Sequence, residues 1–136
     1  MKTSLITLFL ALSLSGFSQS RIGMQFARVR AEYSDPKYAL KCMKYDSSLY
    51  ISYQDKYANI IHRFGRDSIC NKTYVMLSDT TIADQIASTY DAIYQPLSSY
   101  EWIVRTPHDI LDVELVEIKN KEGVPQRTFQ WTRKNP

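Results

Sequence analysis

Four glycines, two cysteines and two histidines in 136 residues leave few parts for the commonest active-site chemistries. So little glycine gives no room for a phosphate-cradling loop. The chain also has no Gly-x-Ser-x-Gly elbow, His-Glu-x-x-His or Cys-x-x-Cys. A zinc site needs three or four converging ligands, and the cysteines and histidines show no ligand spacing, so neither a metal nor a cofactor is expected. A dominant charge is lacking as well: 17 basic residues stand against 14 acidic ones. That balance is too near neutral to draw the chain to nucleic acid or a membrane surface. No apolar stretch reaches the roughly 20 residues a bilayer requires, so no membrane span is expected.

What is there begins at the N-terminus. Met1-Lys2-Thr3 places one charge ahead of an apolar-and-hydroxyl run, Leu5 to Leu14, followed by Ser15-Gly16-Phe17-Ser18-Gln19-Ser20. A charged start, a short apolar core and small residues at the cut make up a secretory signal peptide. Gly16 and Ser18 suit positions three and one before cleavage, so residues 1–18 are read as the signal and 19–136 as a single exported domain. No cysteine follows the cut to carry a lipid, which points to a free periplasmic or secreted protein.

Ile22, Phe26, Val29 and Tyr33 recur at helical spacing, and Ser34-Asp35-Pro36 ends that pattern. Strand signals follow at Tyr38–Tyr45, Leu49–Tyr53, Tyr57–Phe64 and Ser68–Leu77, separated by short polar turns. A second helix opens near Asp79, with Ile82, Ile86, Tyr90 and Ile93 as its stripe, and Pro96 ends it. Three further strands are expected at Tyr100–Arg105, Ile110–Ile118 and Val124–Thr132. The order α-β-β-β-β-α-β-β-β predicts an α+β fold, with two helices packed on one face of an antiparallel meander sheet. Ten tyrosines, five phenylalanines and two tryptophans are first of all core and cross-strand packing.

Gly23-Met24 opening the first helix, then Tyr50-Ile51-Ser52, Ile69-Cys70-Asn71, Glu101-Trp102 and Phe129-Gln130-Trp131, resemble small exported proteins typical of Bacteroidota. More distantly, a Gly-Met-led helix before a meander is similar to the SmpA/OmlA lipoproteins and the β-lactamase-inhibitor-like fold. This resemblance implies the same architecture and a role in protein binding without catalysis. Asp67-Ser68-Ile69 and Asp79-Thr80-Thr81 resemble the O-glycosylation acceptors of that phylum, making Ser68 and Thr80 candidate sites; a turn and a helix cap explain the same residues.

Several residues could carry function. His62 stands in a strand on the face shared by Ile60 and Phe64, and His108 lies beside Asp109 in a loop. Either could serve acid–base chemistry, and either could be a structural histidine. Tyr50 and Tyr53 on the second strand, with Trp102 and Trp131 in the second meander, are candidate binding residues and equally candidate core. Cys42 and Cys70 form a candidate disulfide in an oxidising compartment. On strands one and four of a meander they would stand beyond the ~7 Å limit, which favours two buried free thiols. The leading expectation is an exported, non-enzymatic module binding a protein or an envelope component through a sheet face. The alternative is a small-ligand carrier or hydrolase-type enzyme using a pocket between helix and sheet.

Overall fold

The computed structural model describes residues 21–55 and 57–134, so the leader proposed over 1–18 lies outside the described residues. The elements are α1 (Phe26–Glu32), β1 (Lys41–Tyr45), β2 (Ser48–Gln54), β3 (Ala58–Phe64), β4 (Cys70–Leu77), α2 (Thr80–Ile93), β5 (Gln95–Ser98), β6 (Glu101–Arg105), β7 (Ile110–Lys119) and β8 (Pro125–Arg133). All eight strands form one antiparallel sheet in the order β1-β2-β3-β4-β8-β7-β6-β5. The expected α+β architecture is the one found. One short strand is added: β5 is four exposed residues containing Pro96, too brief and too polar to show alternation.

Each half of the chain is a helix followed by a four-strand meander, and the halves join where β4 pairs with β8, Val75 opposite Phe129. Because side chains alternate across a strand, the register sorts them into two layers. Ile51, Ile60, Phe64, Val75, Leu77, Phe129, Trp131, Val113 and Trp102 fall on one face, and all are buried. Both helices seal that face. Val29 of α1 and Ala83, Ile86 and Tyr90 of α2 are buried. The Tyr90 ring meets Phe129, Trp102 and Trp131 at centroid distances of 5.1, 5.6 and 5.9 Å. Rings at these separations and steep angles stabilise beyond the area they bury.

Local chemistry sets the ends. The Asp79 carboxylate accepts from the backbone N–H groups of Thr81 and Ile82, capping α2. The first helix starts at Phe26, later than its apolar spacing suggests, because the chain before it is used as a bridge. Gly23 N–H donates to the Cys70 carbonyl and Cys70 N–H to that of Met24, both at 2.8 Å. Gly23 takes φ +93 in this turn, a region that disfavours a side chain. The first strand starts later than Tyr38 because Asp35 and Pro36 set up a 3-10 turn over Pro36–Tyr38.

Candidate binding face

The same register that fills the helix side leaves an outer face without a covering layer among the described residues. On β1 to β4 it carries Met43, Tyr45, Tyr50, Ile61, Tyr74 and Met76, which line a concavity of about 620 Å³. Met43 is 62% and Tyr45 70% exposed, high values for large side chains that lie together. Ile118 and Lys121, from the end of β7 and the turn before β8, line the same concavity. Strands β1 and β7, five places apart in the strand order, both contribute side chains to this trough.

Its polar lining gathers toward one end of the strands. Lys41 faces Ser52 across the ladder, and Gln54 faces Asn59; Ser52 Oγ donates to Asn59 Oδ1 at 3.4 Å. A second, wider concavity of about 880 Å³ shares Lys41, Gln54, Asn59 and Lys121 and adds the acids Asp55, Asp79 and Glu122. Apolar surface at one end therefore passes into a mixed-charge rim at the other.

Of the six residues singled out for binding, only Tyr50 lines this trough. Tyr53 points to the opposite layer and stacks on Tyr33 at 3.8 Å between ring centroids. Trp102 and Trp131 have no exposed surface under α2, and the Trp102 indole N–H donates to Asp91 Oδ1 at 2.8 Å. His62 is also fully buried. Its Nε2 lies 2.9 Å from Tyr53 Oη and its Nδ1 2.8 Å from Thr73 Oγ1. Both ring nitrogens are thus satisfied inside the core. His108 sits exposed in the β6–β7 loop. The neighbouring Asp109 is taken by Arg133, whose Nε stands 3.0 Å from its carboxylate.

The nearest approach to a catalytic pair is Cys70 Sγ, 3.9 Å from His62 Nδ1. Burial defeats it. Desolvation drives the His62 pKa down to about 3 and the Cys70 thiol up to about 11, so both groups are neutral at ordinary pH. A nucleophilic cysteine needs the thiolate and access to solvent, and this one has neither. The layer between helices and sheet, where a carrier or hydrolase pocket was the alternative, is filled here by packed rings and aliphatic side chains.

The candidate disulfide does not form: Cys42 and Cys70 are both free. Three strand spacings separate β1 from β4, about 14 Å, twice what a bridge tolerates. The expectation of two buried thiols is also corrected, since Cys42 is exposed on the edge strand and only Cys70 is buried. Ser68 lies half-buried in the turn before β4 with φ +61, and Thr80 is the exposed first residue of α2.

The remaining trough residues went unrecognised in the sequence, although one signal was present. Ile60-Ile61 and Tyr74-Val75-Met76-Leu77 are apolar without alternation, the mark of a strand with two apolar faces. Comparison with protein-family models, with curated proteins and with solved structures finds no match to this chain.

Proposed function

We propose that this protein is an exported, non-enzymatic binding module of the bacterial envelope, which recognises a protein or another envelope component with its outer sheet face. The observation that carries the reading is the aromatic and methionine-lined trough that the described residues leave uncovered opposite the helices. Monomeric proteins seldom expose a contiguous apolar patch without using it, and Tyr and Met are side chains that favour adaptable contacts. Burial of both tryptophans and of His62 directs attention away from the helix side.

The test is capture of partners from envelope extract by the purified protein and by two variants. Tyr50→Asp with Tyr74→Asp alters the trough, whereas Arg28→Glu alters exposed α1 on the other side. Loss of captured material with the first variant alone supports the reading; equal capture by all three proteins overturns it.

A further inference from the structure

The trough is not uniformly apolar, and its charge has one sign. Two lysines, Lys41 and Lys121, line it, and no aspartate or glutamate does. Neither lysine belongs to an ion pair among the described residues. Both also line the adjoining polar concavity, so they stand where the apolar channel opens to water. From there the channel continues over Ile61, Tyr74, Tyr50 and Met43, residues that offer rings, methyls and a thioether and, apart from the tyrosine hydroxyls, no polar atoms.

We propose that this trough takes a single-chain carboxylate amphiphile, with its hydrocarbon tail along Met43, Tyr50, Ile61 and Tyr74 and its head between Lys41 and Lys121. The assignment rests on the outer face being the binding face and specifies what that face holds. A volume of about 620 Å³ falls in the range of pockets that accept small molecules, roughly 300–1,000 Å³. Burying each methylene of a tail contributes about 0.8 kcal/mol, and two unpaired ammonium groups supply the complementary charge for one carboxylate. The acids Asp55, Asp79 and Glu122 lie beyond the lysines on the polar side; Glu101, Asp112 and Glu114 lie across the sheet on β6 and β7. A peptide added as a strand is the weaker fit, because the adjacent edge β1 alternates Lys41 and Lys44 to its two faces, a pattern that discourages strand pairing.

Titration calorimetry with laurate below its micelle concentration tests this, using dodecyltrimethylammonium as a probe with an equal tail and opposite charge. Laurate is expected to bind one to one and at least tenfold tighter than the cation. Lys41→Glu combined with Lys121→Glu is expected to weaken laurate at least tenfold, and Tyr50→Asp to weaken both probes. Because these positions are at the surface, each variant's thermal unfolding serves as the check that it is folded. Equal affinity for the two probes, or laurate binding unmoved by the lysine changes, overturns the proposal. So does absence of laurate binding; if the Tyr50 and Tyr74 changes still abolish capture from envelope extract, the outer face remains the binding face and only the ligand class fails. Binding of an apolar peptide in place of laurate overturns it in the same way.

Discussion

His62 offers a pH dependence whose size can be worked from its surroundings. The imidazole is fully buried, held by Tyr53 and Thr73, with Cys70 alongside, and among the described residues no carboxylate is hydrogen-bonded to it. Burial, assisted by the positive charge of Arg21, lowers its pKa from 6.5 to about 3. A base whose pKa falls on folding binds more protons when unfolded, so its contribution to stability is intact above pH 6.5 and is lost as pH drops toward 3. Linkage then gives a loss of about 2 kcal/mol between pH 7 and pH 5. Urea unfolding at the two pH values, followed by circular dichroism, measures it. The matched variant is His62→Gln, which keeps a donor and an acceptor in the core but cannot titrate in this range. Its absolute stability is not the readout; the change with pH is. The wild-type protein is expected to lose about 2 kcal/mol more than the variant over this interval. Equal losses would refute the argument that His62 is sealed and neutral.

Two other outcomes follow from the packing. Ellman's reagent is expected to label one thiol per native molecule at once, Cys42, and to reach buried Cys70 only on unfolding; slow labelling of both, or of neither, would contradict the placement of β1 at the edge. Tyr90→Ala removes the ring around which Trp102, Phe129 and Trp131 assemble, and by analogy with other large aromatic truncations should cost about 3–5 kcal/mol in denaturant unfolding; a cost below about 1 kcal/mol would mean that α2 does not anchor the second meander.

Much of the architecture could be read from residue order. The spacing of Ile82, Ile86 and Tyr90 gave α2, and the alternation of Leu111, Val113 and Leu115 against Asp112 and Glu114 gave β7; both patterns reflect burial on one side only. The edge strand β5 stayed hidden because it buries nothing. The site was far less legible. Tyr50 and Tyr53 are equivalent as letters, yet three positions along one strand place them on opposite layers, and only the register decides which is core. Likewise His62 next to Cys70 cannot be foreseen from residues eight apart; strand pairing across Phe64 brings them together. Lys121 enters the trough from a turn far along the chain, and no local pattern announces it.

The ladder between β4 and β8 stands apart from the other six. Every other pair of neighbours in the sheet is joined by a short turn or loop, whereas this one unites Leu77 with Arg127 and Lys72 with Thr132. Each meander can zip from its own hairpins, but the seam joins segments with α2 and three strands between them in the chain. Its closure thus carries the largest single loop-entropy cost in the sheet, and it is the one ladder whose non-local pairing acts to slow folding.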